Sequence, residues 1–206
     1  DSGEYALEIH PASVTSDTLK GLRALGFNRL SIGIQDFDPA VQKAVNRFNS
    51  VEEVTGLMKQ ARSSAYHSIS MDLIYGLPKQ SLNSIAKTLE AVIKLSPDRL
   101  SVFNYAHMPH LFKVQKQIDE TALPSANEKL EMLHYIIERL GNEGYVYIGM
   151  DHFAKPEDEL AVLEPLRGAI PDEVFTEPPF VTPPSDPDRT FDRRQARRAA
   201  ALLEEA

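Results

Sequence analysis

The stretch "SISMDLIYGLP", Ser68 to Pro78, decides how the fold is read. Ile69 to Tyr75 form an apolar run of strand length, and Gly76 and Pro78 close it. One carboxylate, Asp72, interrupts that run between Met71 and Leu73-Ile74. An unpaired carboxylate in a core strand costs several kcal/mol. Asp72 is therefore expected either to be satisfied by neighbours or to belong to a site.

Further strand-like runs lie on both sides, at Tyr5–Ile9, Leu30–Ile34, Leu100–Phe103 and Tyr145–Met150. Amphipathic helical stretches separate them. "TSDTLKGLRALGF" places Leu19, Leu22 and Leu25 on one face, with Gly26 as its C-terminal stop. "SVEEVTGLMKQAR" opens on a capping box of Ser50 and Glu53. "SLNSIAKTLEAVIKLSP" spaces Ile85, Leu89, Val92 and Ile93 helically and stops at Pro97. "SANEKLEMLHYIIERLGNEG" has a second capping box, Ser125 and Glu128, and a stripe through Leu130, Leu133, Ile137 and Leu140. Strand alternating with helix is the pattern of βα units around a parallel sheet. A barrel and an open doubly wound sheet fit it equally.

Composition narrows the function class. The chain has 206 residues, 42% of them hydrophobic, and a formal net charge of −8. That charge speaks against a general nucleic-acid surface. No apolar run approaches the roughly 20 residues of a membrane helix. Nor do the first residues form a basic-then-apolar targeting segment. The expectation is a soluble, cytoplasmic protein that binds neither nucleic acid nor membrane. With no cysteine in the sequence, disulfides, thiolate zinc sites and iron–sulfur ligation by these residues are excluded.

After Asp158 the texture changes, and Pro165 through Pro187 supply half of the 14 prolines. Residues 1–158 read as the folded body and 159–188 as a Pro-rich linker. Residues 189–206 read as a short helix with a basic first half and an acidic second half, against the helix dipole.

In parallel βα folds, ligands gather at the carboxyl ends of the strands. Glu8 and His10 stand at the first such end, Gln35 and Asp36 at the second, and Asp72 at the third. Asn104, Tyr105 and His107 follow the fourth, and Asp151 and His152 the run at 145. Any one of these alone is more often a hydrogen-bonded group or a cap, but five successive polar ends favour a shared site. Asp36 and Asp38 also suit a cap for "DPAVQKAVNR". His107 and His110 have no obvious third metal ligand, so no metal site is expected. His134 reads as a core or boundary residue, and His67 and Lys79 as solvated. Neither common phosphate loop is present, and no G-x-S-x-G elbow appears.

Five stretches, "NRLSIGIQDFD", "VNR", "MDLIYGLPKQ", "PDRLSVFNYAHMP" and "GYVYIGMDHFAKPEDELA", together resemble oxygen-independent coproporphyrinogen III oxidase, a radical S-adenosylmethionine family of haem biosynthesis. The resemblance runs from about Glu4 to Ala161. It implies an α/β fold, a partial (β/α)6 barrel with parallel strands, holding two S-adenosylmethionine molecules at its open end. The contacts it implies are Glu8, Gln35, Arg47, Asp72 and Ala106. It names no catalytic residue. An arginine such as Arg47 can clamp a carboxylate through two parallel hydrogen bonds. The implied reaction is oxidative decarboxylation of two propionates of the porphyrinogen substrate, by a radical drawn from S-adenosylmethionine with a reduced [4Fe–4S] cluster.

The departures are equally definite. The cluster motif of the resembled family, C-x-x-x-C-x-x-C, is absent, as are its glycine-rich strand and its helical C-terminal domain. His10 stands where an acid is expected. The chain thus reads as an internal piece of such an enzyme, inactive alone; the family is expected to be monomeric, the piece to self-associate through open sheet edges. A non-catalytic binding module of the same fold and a haem-chaperone relative, which shares "DLIYGLP", are the alternatives.

Overall fold

The structure is a computed structural model that describes residues 3–162. Of the Pro-rich linker expected at 159–188, the residues from 163 onward lie outside the described residues, as does the helix expected at 189–206.

Six strands form one sheet: β1 (Ala6–Ile9), β2 (Arg29–Gln35), β3 (Ser68–Tyr75), β4 (Arg99–Asn104), β5 (Val146–Gly149) and β6 (His152–Ala154), in spatial order β1-β2-β3-β4-β6-β5. The first four pair in parallel. The helices α1 (Ser16–Ala24), α2 (Pro39–Ala44), α3 (Val51–Ser63), α4 (Leu82–Leu95), α5 (Ala126–Asn142) and α6 (Glu159–Val162) alternate with them.

β3 is central, paired on both sides, and its alternation accounts for the pattern of Ser68 to Pro78. Ile69, Met71, Leu73 and Tyr75 are buried in a core shared with Leu30, Ile32 and Ile34 of β2 and Leu100 and Val102 of β4. The helices close that core with Leu19, Val54, Leu57, Ile85, Leu89, Met132 and Ile136. Side chains alternate in direction along a strand. Ser31, Gly33, Ser70, Asp72 and Ser101 therefore share the opposite face, and small polar residues there leave room above the sheet.

The sheet is parallel from β1 to β4 and antiparallel beyond. Residues 145–154, which read as one strand and its polar end, form a hairpin: β6 runs antiparallel to β4, and β5 antiparallel to β6 at the sheet edge. Met150 and Asp151, both at positive φ, make the turn. This follows from length, because a parallel return needs a crossover of a dozen or more residues and the turn is far shorter.

The helix ends follow their local signals. Ser50 with Glu53 and Ser125 with Glu128 form the two expected capping boxes. Thr15 with Thr18 and Ser81 with Ser84 form two more, unforeseen because the third helical residue is not Glu or Gln. Gly26, at φ +104°, ends α1 as expected. Two helix faces are rotated from expectation. In α5 the buried stripe is Met132, Ile136 and Leu140, while Leu130 is 65% exposed. In α1 only Leu19 is buried, and Leu25 lies in solvent. His134, expected at the core or its boundary, is exposed.

At the amino ends of the strands, charges tie the layers together. Asp98 accepts from Arg62 at 2.6 Å and from the Ile69 N–H at 2.7 Å. Asp158 accepts from Arg99 at 2.8 Å, and Arg29 pairs with Glu4 and Glu159. The order of the chain thus continues through α6, whose Ala161 is buried.

Candidate functional site

The site lies at the carboxyl ends of β1 to β4. Register places Glu8 beside Ser31 and Gly33 beside Asp72. Gly33 is the centre of the arrangement. A Cβ there would stand 3.2 Å from Gln35 Nε2, 3.6 Å from Glu8 Oε1 and 3.9 Å from Arg47 Nη1. Three side chains named from the sequence thus converge over one residue that has none. They come from β1, from the end of β2 and from the segment after α2, so no local sequence pattern brings them together.

Arg47 is held at the exit of α2 by its N–H to the Gln42 carbonyl at 3.0 Å. Among the described residues its guanidinium has no carboxylate partner. Glu8 is exposed on the site face and likewise has no ion pair there. A cation and an anion that both reach within 4 Å of one point above Gly33, neither ion-paired among the described residues, can take the two ends of a zwitterionic ligand.

Asp72 is half-buried and accepts from Ser31 Oγ at 2.7 Å. The neighbouring strand thus satisfies the carboxylate of the central strand with one hydroxyl, which leaves most of its acceptor capacity unused. On the same face Asp72 is in register with Ser101, and Ser101 with His152, whose ring meets Phe103 edge-on at 6.0 Å.

Ala106 lies apart from this cluster, in the segment after β4. Its carbonyl accepts from Gln115 Nε2 at 3.0 Å, while Gln115 Oε1 accepts from the Met108 N–H at 2.5 Å. Gln115 thus clips both sides of His107. Together with Gln35, Arg47, Val45, Tyr105 and Ile118, it lines a cavity of about 220 Å³. Gln115 and Tyr105 join the Ala106 segment to the Gln35–Arg47 side of the site, and no motif in the sequence points to Gln115.

The remaining polar strand ends resolve into structural roles. His10 Nδ1 accepts from the Ala12 N–H at 3.2 Å and caps the turn at Pro11–Ser13. Asp38, not Asp36, caps α2, accepting from the Ala40 and Val41 N–H groups. Asp36 is buried instead. His107 sits between the Tyr105 hydroxyl at 3.2 Å and Glu120 at 3.1 Å. Among the described residues no three His, Asp or Glu side chains form a group able to hold a metal ion.

Residues 3–92 match the family described as the Radical SAM superfamily. Over 161 residues the chain is 56% identical to the oxygen-independent coproporphyrinogen III oxidase of Pseudomonas aeruginosa and 52% identical to that of Salmonella typhimurium. Each match takes in 78% of this chain and 35% of the relative. The solved coproporphyrinogen III oxidase (HemN) from Escherichia coli, described as a radical SAM enzyme, superposes with a TM-score of 0.76 at 50% identity, covering 78% of this chain and 37% of that one. The chain therefore spans about a third of the length of these relatives.

Proposed function

Because this chain belongs to the radical SAM family of oxygen-independent coproporphyrinogen III oxidases, we propose that the carboxyl ends of β1 to β4 bind S-adenosylmethionine as part of such an enzyme's site. The convergence of Glu8, Gln35 and Arg47 over Gly33 carries the reading. The donor set suits the ligand. Arg47 can clamp the methionine carboxylate, and Glu8 or Asp72 can receive its ammonium or the ribose hydroxyls. The Gln35 amide offers both a donor and an acceptor. The bare Gly33 lets a ligand approach the sheet closely. Ala106 would contribute a backbone group, from a segment that Gln115 holds in place.

Bound there, S-adenosylmethionine would supply, on reduction by a [4Fe–4S] cluster, the radical chemistry that removes hydrogen from a substrate. Residues of this chain do not fit that cluster, since none is cysteine. No radical step is assigned to these 206 residues, and the porphyrinogen substrate belongs to the proposal for the whole protein. What this chain's residues do is bind and orient the ligand.

Calorimetric titration of the chain with S-adenosylmethionine tests the reading. Saturable binding, weakened by Arg47→Ala and by Asp72→Ala, is expected. Absence of binding in a chain shown to be folded would sink it. The lack of cysteine favours a second reading, a module that binds without catalysis. Reconstitution with iron and sulfide under anaerobic conditions separates the two, because 5′-deoxyadenosine release would exclude the second.

A further inference from the structure

Gln35 takes a backbone conformation that residues with side chains rarely adopt. Its φ is +72°, and across it the Asp36 N–H donates to the Ile34 carbonyl at 3.0 Å. A hydrogen bond spanning a single residue at positive φ is the rare, strained form of γ-turn. Strain of this kind persists only where the surroundings over-determine it.

The surroundings are a buried polar network centred on the next residue. Asp36 is 1% exposed. Its carboxylate accepts from Thr88 Oγ1 at 2.6 Å, from Gln80 Nε2 at 2.5 Å and from the Asp38 N–H at 2.6 Å. Its carbonyl accepts from Gln42 Nε2 at 2.8 Å, and Asn49 Nδ2 reaches the Ile34 carbonyl at 3.4 Å. On one side of Gln35 the Ile34 carbonyl is thereby tied to the loop at Asn49, and on the other Asp36 is tied through its carbonyl to α2 and through its carboxylate to α4.

Gln80 extends the network to the neighbouring strand. Its Oε1 accepts from the Gly76 N–H at 2.5 Å and the Leu77 N–H at 3.1 Å, and its Nε2 also donates to the Ile74 carbonyl at 3.0 Å. The ends of β2 and β3 are therefore locked to one another through a single carboxylate. Among the described residues no cation pairs with that carboxylate, so its position costs stability rather than adding a buried ion pair.

We infer that Asp36 is a positioning residue: its buried network holds Gln35 in the strained turn that aims the Gln35 amide over Gly33. The consequence for binding rests on the reading of Gln35 as an S-adenosylmethionine contact; the backbone consequence does not.

Asp36→Asn in the full chain keeps the shape but sets an amide NH2 against donors that need an acceptor. Backbone chemical shifts and three-bond couplings of the unliganded chain report the φ of Gln35. The expected result is a folded variant in which Gln35 leaves the positive-φ region. A folded variant that keeps Gln35 at positive φ overturns the inference. If Asp36→Asn does not fold, Thr88→Val, which removes one donor and leaves the carboxylate, is put to the same measurement with the same two outcomes.

Calorimetry with S-adenosylmethionine then completes a double-mutant cycle. Asp36→Asn alone is expected to weaken binding about tenfold, but by less than about twofold when Gln35→Ala is already present. Effects that simply multiply would show that Asp36 does not act through Gln35. Gln35→Ala binding like the wild type would remove Gln35 from the ligand site and leave the φ measurement to decide the positioning.

Discussion

The Gln35 amide nitrogen lies 3.2 Å from the point where Gly33 would carry a Cβ, two residues back on the same strand. The side chain of Gln35, the last residue of β2, therefore folds back over Gly33, into space that a side chain on Gly33 would crowd. Glu8 Oε1 and Arg47 Nη1 come within 3.6 and 3.9 Å of the same point.

Gly33→Ala tests that relationship directly. The backbone of Gly33 is not at positive φ, so alanine suits it, and the new methyl must push the Gln35 amide aside by a few tenths of an ångström. Thermal unfolding should show a fold close to wild type. Binding of S-adenosylmethionine should fall about tenfold, some 1.4 kcal/mol. Unchanged affinity would mean that Gln35 does not need its place above Gly33.

Arg47→Lys separates charge from geometry. Lysine keeps the cation but loses the planar fork that grips a carboxylate at two points. Affinity by calorimetry should drop about tenfold, with Arg47→Ala lower still. Full retention by lysine would leave Arg47 a simple electrostatic role.

The α5 interface makes a stability prediction. Ile136→Ala should cost about 2–5 kcal/mol in urea unfolding, because its side chain is fully buried. Leu130→Ala, on an exposed face, should cost less than about 0.5 kcal/mol. Equal costs would contradict the observed facing of the helix.

Asp36 predicts an unusual pH response. Burial pushes its carboxyl up, against the opposing pull of the Asp38 N–H, Thr88 and Gln80. A group raised in the folded state binds its proton more tightly there, so its contribution is complete below the ordinary Asp value of 3.8 and is lost as pH rises through the folded value. The stability of wild type relative to Asp36→Asn should therefore increase as pH falls from neutral toward the ordinary Asp value. Urea unfolding of both proteins across that range measures it, and a difference that shrinks on acidification would contradict the raised value.

Much of this organisation is local and legible in the residues themselves. Ser50 and Glu53, or Ser125 and Glu128, announce a helix start because the two groups that satisfy each other are three residues apart. Ile69 to Tyr75 announce a buried strand because two paired neighbours cover both its edges. The stripe of α5 is not legible in this way, because "KLEMLHYIIERL" offers two apolar faces and only the partner helix α4 and strand β3 choose between them. The β5–β6 hairpin is hidden too, because "YVYIGMDHFA" reads as a strand and its polar end, with no Asn-Gly or Asp-Gly to mark the turn.

By itself the sequence determined the alternation of strand and helix, the caps, the central apolar strand carrying Asp72, and the residue types that wait at the strand ends. Tertiary structure alone decided that Glu8, Gln35 and Arg47 meet above Gly33, that Ser31 is the neighbour that satisfies Asp72, and that buried Asp36 holds the turn at Gln35. The physical reason is range. Caps and periodicities are satisfied within a few residues, whereas Ser31 and Asp72 are 41 residues apart and Asp36 and Thr88 are 52 apart, joined only when the sheet sets its register and the helices pack against it.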